Sequence, residues 1–176
     1  MGILSILVGV VLLGLRSDFR EIIFSPRFVF DCFALLLLTM ATTVSAMTLS
    51  VPGRESRFCQ FAIGGTVLSW SGFLTYLAFQ ANHSFGTWGF ACVRDILLMG
   101  LPSGIILFFT VRKGAILNTK KTSVIATLAG SSIGMMGTQF ICSDSGGVHV
   151  LVWHLVPALA VAILGSFFGR FFFEKI

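Results

Sequence analysis

The sequence predicts an all-α membrane protein: six helices in one bundle, with both termini in the cytoplasm. Three observations carry that expectation. Of 176 residues, 56% are hydrophobic and only 11% are charged, whereas a soluble domain holds roughly a quarter charged residues. Six apolar runs approach membrane-crossing length, ~17–25 residues, and short stretches rich in charge and turn residues separate them. Lys and Arg gather at alternate turns, eight on one side and four on the other, and the side richer in them is read as cytoplasmic. The length suits one bundle and leaves no room for a second domain.

The first run, Met1 to Leu15, is short: at about 1.5 Å per residue it covers roughly 22 Å of a ~30 Å hydrocarbon core. It lacks the positive n-region and the small-residue cleavage site of a signal peptide, so it reads as a helix with a missing or abrupt beginning. Arg16, Asp18, Arg20 and Glu21 form an amphipathic connection through Ser25 and Pro26. The second run, Phe28 to Leu49, is preceded by Arg27, four residues before Asp31, a spacing that lets the two pair on one helix face. That carboxylate is expected to be structural. Val51-Pro52-Gly53-Arg54-Glu55 is a tight turn. The third run, Phe58 to Gln80, leads into a loop from Asn82 to Trp88, with Trp88 as an interfacial anchor. The fourth run, Cys92 to Val111, contains Pro102, which removes one backbone donor and kinks the helix. Arg112 to Lys121 is the most basic loop of the chain. The fifth run spans Thr122 to Ile141 and the sixth Val148 to Phe168. Gly100 and Gly104, Gly130 and Gly134, and Gly165 and Gly169 are each four apart, so each pair clears one helix face for a close neighbour.

A thiol, a carboxylate and two imidazoles, from Cys142, Asp144, His149 and His154, fall within thirteen residues at one membrane surface. Cys92 opens an inward-going helix and Cys142 closes an outward-going one, which places both at the outer surface. Two readings stay open for them. They are a thiol pair that senses oxidant or soft metal, or two small apolar residues at helix ends. A disulfide between them would need Cα atoms within about 7 Å. Cys32 and Cys59, near opposite surfaces, read as core filling. His149 and His154 are five apart, about 140° around a regular helix, which argues against both holding one ligand. His154, beside Trp153, reads as an interfacial or network residue. Asp144 and Asp95 are candidate oxygen ligands or acceptors for the imidazoles, and His83 in its loop carries no reading.

Hydrolase, zinc-protease and phosphate-loop motifs are absent, as are paired intramembrane carboxylates for ion coupling and any basic groove with interleaved aromatics. Enzymatic activity and direct nucleic-acid binding are therefore not expected, and no cofactor beyond a transiently bound soft metal is.

Several short patterns recur in a familiar order: Gly14-Leu15-Arg16-x-Asp18, Pro26-Arg27-Phe28, Val51-Pro52-Gly53, Cys92, Gly100-Leu101-Pro102, Arg112-Lys113-Gly114-Ala115, Gly130 with Gly134, Cys142, and Trp153-His154. In order and spacing around six runs, they resemble the bacterial negative regulators of sigma F, the NrsF family. The resemblance implies an inner-membrane anti-sigma factor that holds an extracytoplasmic-function sigma factor and releases it under metal or oxidant stress. It implies that Cys92 and Cys142 are the sensing thiols, with His154 in support; His149 and Asp144 join them on the residue reading alone. Family members usually carry a few dozen cytoplasmic residues before the first helix, the natural grip for a sigma factor, and this chain starts inside that helix. Cytoplasmic contacts would then fall to Arg54–Arg57, Arg112–Lys121 and the C-terminal tail. Pro102, ten residues below Cys92, is the expected pivot of a switch. Two other classes remain: a small metal carrier or channel with Cys142, Asp144 and His149 at its mouth, and a membrane thiol oxidoreductase built on Cys92 and Cys142. The oxidoreductase would need a second thiol pair in relay, which Cys32 and Cys59 do not offer.

Overall fold

A computed structural model of the chain describes residues 2–54, 57–80 and 89–173. Its elements are α1 (Gly2–Leu13), α2 (Phe19–Ile22), α3 (Pro26–Leu49), α4 (Arg57–Gln80), α5 (Phe90–Arg112), α6 (Thr119–Thr138), α7 (Gly147–Val150), a π-helical turn (Leu151–Leu155) and α8 (Val156–Phe173). No strand occurs among the described residues. Four stretches are long and apolar enough to cross a membrane: Pro26–Leu49, Arg57–Gln80, Phe90–Arg112 and Gly147–Phe167. Glu55, the loop holding Asn82, His83 and Trp88, and the tail from Glu174 onward lie outside the described residues.

Helix α6 is the axis. Thirteen of its twenty residues are buried, because α3, α5 and α8 pack around it. A helix walled by protein needs small side chains more than apolar ones, and its hydroxyls can return their protons to nearby carbonyls. Ser132 Oγ donates to the Ala129 carbonyl at 2.8 Å and Thr138 Oγ1 to that of Met135 at 2.8 Å. Ser123 Oγ reaches across to the Gly165 carbonyl of α8 at 2.6 Å.

The expected glycine faces all converge on this axis. A Cβ added to Gly134 would lie 2.1 Å from the Ile96 carbonyl oxygen, and one added to Gly100 2.5 Å from that of Gly130. On the other flank, Gly165 faces Thr127 and Gly169 faces Ser123. Close backbone approach of this kind maximises van der Waals contact where lipid supplies no hydrophobic drive between helices.

Boundaries shift from the sequence reading for local reasons. Helix α1 stops at Leu13 because Gly14 turns left-handed, with φ 89°. Ser25 caps α3 by accepting from the Phe28 N–H at 3.2 Å, and Pro26 fills the first helical position, where its missing donor costs nothing. Helix α6 ends at Thr138, three residues before the expected Ile141, and a tight turn returns the Cys142 N–H to the Thr138 carbonyl at 2.8 Å.

Asp31 is structural, as its spacing implied, but its main partner lies elsewhere. Trp70 Nε1 donates to Asp31 Oδ1 at 2.7 Å from the middle of α4, while Arg27 Nε stands 3.8 Å from the other oxygen. Trp70 is fully buried in the core with Leu35, Leu38, Leu74 and Met135. Asp31 therefore ties α3 to α4 inside that core.

Candidate functional site

One end of the bundle gathers the chain's reactive side chains. Cys92 lies in the first turn of α5, Cys142 in the loop after α6, His149 in α7 and His154 in the π turn. Each segment arrives for a local reason. The Gly100–Gly134 approach draws α5 and α6 together, and this brings the start of one beside the end of the other. Gly147 lets α7 sit against α4, where a Cβ would lie 2.7 Å from the Leu74 carbonyl oxygen.

Cys92 Sγ stands 3.3 Å from Cys142 Sγ, and His149 Nε2 lies 3.5 Å from the first sulfur and 3.4 Å from the second. With His154, the four ligand atoms all fall within 4.8 Å of one another. Ligand bonds of ~2.0–2.3 Å in a tetrahedron give edges of ~3.3–3.8 Å. Two thiols and two imidazoles at these distances fit a zinc-like or softer ion after shifts of about an ångström.

Both imidazoles are oriented from behind. His149 Nδ1 is 3.2 Å from Asp144 Oδ2, an ion-pair distance off the hydrogen-bond line, and Asp144 Oδ1 accepts from the Gly146 N–H at 2.8 Å. His154 Nδ1 is 3.3 Å from Thr138 Oγ1, which leaves Nε2 buried with no hydrogen-bond partner. An orphaned, buried ring nitrogen beside two thiols is costly unless something binds it. A hydroxyl or carboxylate on the far nitrogen is the outer-shell arrangement that fixes the tautomer of metal-ligating histidines.

The expectation that His149 and His154 could not share a ligand fails here. It assumed a regular helix, but the Val156 N–H bonds to the Leu151 carbonyl, five residues back, and the widened turn over Leu151–Leu155 brings the rings to 5.4 Å between centroids. Nothing in the residue types announces a π turn, although such turns gather at functional sites.

Sequence reasoning also missed Arg16. Its guanidinium is buried and donates to both Asp18 oxygens at 2.6 and 2.7 Å, to Ser145 Oγ at 3.1 Å and to the Ser143 carbonyl at 3.0 Å. The Arg16 N–H bonds the Phe140 carbonyl at 3.0 Å. The connection after α1 thus grips the loop that carries Cys142 and Asp144. The donated bonds from Arg16 hold the Asp18 carboxyl below its usual range. The available signal was the Gly14-Leu15-Arg16-x-Asp18 pattern, with its Arg two residues from an Asp.

The Cys142 thiol, in the loop beyond α6, is also pushed down. The S–H donated by Cys92 is the largest cause, partly offset by burial and then reinforced by His154. Of the two sulfurs, Cys142 is therefore the one whose thiolate is favoured. Cys32 and Cys59 stand outside this cluster, and Asp95 pairs with Arg94 at 2.9 Å instead of joining it. Trp153 packs on Phe90, with ring centroids 4.9 Å apart, and so stacks the π turn on the start of α5.

The family model for NrsF, negative regulator of sigma F, matches residues 1–174. The chain belongs to that family. No curated protein and no solved structure matches it. In this NrsF chain some of the short patterns singled out in the sequence fall at two ends of the bundle. Arg16 and Asp18 form the fork behind the Cys142 loop. Gly53, with φ 75°, turns the chain between α3 and α4. Gly114 lies where a Cβ would meet the Ser50 carbonyl oxygen at 2.3 Å.

Proposed function

We propose that this NrsF protein is a six-span anti-sigma factor of the bacterial cytoplasmic membrane. In this reading it holds an extracytoplasmic-function sigma factor and releases it when a soft metal ion or an oxidant reaches Cys92 and Cys142. The four ligand atoms within 4.8 Å, contributed by three separate segments, carry the reading. Helices α1 and α6 complete the six spans, with α6 shielded from lipid by its neighbours.

The ion takes Cys92 and Cys142 as thiolates, with His149 and His154 through their Nε2 atoms, and two thiol protons leave to solvent on binding. Thiolate and imidazole together favour zinc-class and softer ions over calcium or magnesium. A peroxide would act on the same pair, taking two electrons and two protons as the sulfurs join and leaving as water. Either event ties the start of α5 to the end of α6. A ligand shifts a conformational equilibrium only by its preference for one state, so the bound arrangement must differ from the resting one. Pro102 is the position in α5 with no donor for the preceding turn, and it is where that helix is expected to bend. The change would then reach the opposite end through Arg112.

The test is a strain carrying Cys92→Ala and Cys142→Ala, scored for sigma-dependent transcription after cadmium or peroxide challenge. The substituted strain is expected to lose induction while still repressing. An unchanged response removes the two thiols from the mechanism.

A further inference from the structure

A second site lies away from the thiol centre. Helices α5 and α8 flank α6 but scarcely touch each other, and the gap between them is a cavity of about 530 Å³. Its floor is Gly100, Gly104, Gly130 and Gly165, and it opens sideways past the exposed side chains of Ile105 and Leu164. The floor offers little to a polar ligand. Ser123 Oγ is spent on the Gly165 carbonyl and Thr127 Oγ1 on that of Ser123.

Length and charge say what fits. From Ile96 to Phe109 the groove follows α5 for fourteen residues, about 20 Å at ~1.5 Å per residue, enough to span the ~15 Å of one bilayer leaflet. It ends at the basic loop. On α5, Arg112 lies four residues past the groove-lining Phe108, hence on the same face. On α6, Lys120 lies three residues before Ser123, on the face that lines the groove. Every Asp and Glu among the described residues, Asp18, Glu21, Asp31, Asp95 and Asp144, belongs to the opposite end of the bundle. Two cations without a described acid beside them thus stand at the mouth of an apolar slot one acyl chain long.

We infer that the groove between α5, α6 and α8 binds an anionic phospholipid, with an acyl chain lying over the glycine floor and the phosphate between Arg112 and Lys120. Basic residues where helices meet the membrane surface favour anionic headgroups in this way.

The full chain, reconstituted in vesicles of equal phosphatidylglycerol and phosphatidylcholine and then extracted, would be weighed with its retained lipid by native mass spectrometry. Phosphatidylglycerol is expected to be retained about tenfold over phosphatidylcholine. Arg112→Gln with Lys120→Gln should bring the two within about twofold. Gly104→Leu should displace both lipids; a first added carbon there meets only Gly130 Cα, at 3.6 Å. Arg54→Gln, half that charge change and placed in the α3–α4 turn, should leave the preference intact. Equal retention of the two lipids by the unaltered chain overturns the inference. So does a preference that survives the double variant, or one that Arg54→Gln lowers as much. If Gly104→Leu instead converts a dimer to a monomer with lipid retention unchanged, a second copy occupies the groove and the lipid assignment falls.

Discussion

The two ends of the bundle are built on opposite plans. At the cysteine end, charge is paired and each pair has one buried member: Arg16 with Asp18, Arg27 with Asp31, Arg94 with Asp95 and His149 with Asp144. Segments far apart in sequence are locked by short side-chain bonds, and ring packing among Phe19, Phe28 and Phe140 closes the same corner. At the basic end, Arg54, Lys113 and Lys120 stand exposed, and the described residues carry no acid. The difference separates two demands. On the proposals above, the first end would recognise an ion by geometry and so needs its ligands fixed from behind, whereas the second would meet headgroups and so needs net charge and room.

The contrast can be broken most severely at the thiols. Cys92→Ser with Cys142→Ser is expected to lower zinc or cadmium affinity by several orders of magnitude, since half the donors and both negative charges go. Chelator competition on the purified chain would measure it, and near-unaltered affinity would mean that the fixed end is only scaffold.

Next comes the packing that sets the fixed end. Gly134→Leu places carbon against the Ile96 carbonyl oxygen and should cost about 3 kcal/mol in a micellar unfolding titration. The same substitution at Gly64, where an added Cβ would meet no neighbouring atom, should cost under about 1 kcal/mol.

The outer partners rank below these. Asp144→Ala should weaken metal binding by roughly 10–100-fold, the usual cost of losing the group behind a ligating imidazole. Arg16→Gln should act through the same loop and cost about 1.5–3 kcal/mol in stability as well, because its charged bonds go unmet.

A pH series sharpens the comparison further. A lowered thiol pKa keeps the reactive thiolate present as pH falls. Maleimide labelling of Cys142 in a Cys92→Ala background would test the cause: without the Cys92 donor, Cys142 should lose rate about tenfold per pH unit below ~8.5, as an ordinary thiol does. In the unaltered chain its labelling should fall less steeply as pH drops, because its thiol is pushed down. The smallest effect belongs to the open end, where Lys113→Gln should change stability by no more than about 0.5 kcal/mol.

How much of this was legible depended on whether an interaction is local in sequence. Glycine spacing announced the close faces of α5, α6 and α8, because four residues make about one helical turn wherever they occur, but not the lone Gly147 against α4. The turns at Pro52-Gly53 and Ser25-Pro26 were equally readable. The meeting of Cys92 and Cys142 followed from alternating helix direction plus one assumption of adjacency. Hydropathy described α6 least well, since it measures fitness for lipid and this helix faces protein. The Arg16 fork and the Asp31–Trp70 bond join residues far apart, and no periodicity marks them. The paired imidazoles were hidden by a backbone irregularity that no residue type specifies.

That irregularity has a consequence for how the chain tolerates change. The π turn absorbs one residue without rotating the helix beyond it, so α8 meets α6 in the phase a regular helix one residue shorter would have. Removing Val152 should therefore leave Gly165 and Gly169 on their partners and set the two histidines four apart, on one face. Removing a residue from the regular stretch of α8, Ala160 for instance, turns the rest of the helix by about 100° and should dismantle that contact. Length is negotiable at this one place in the final helix.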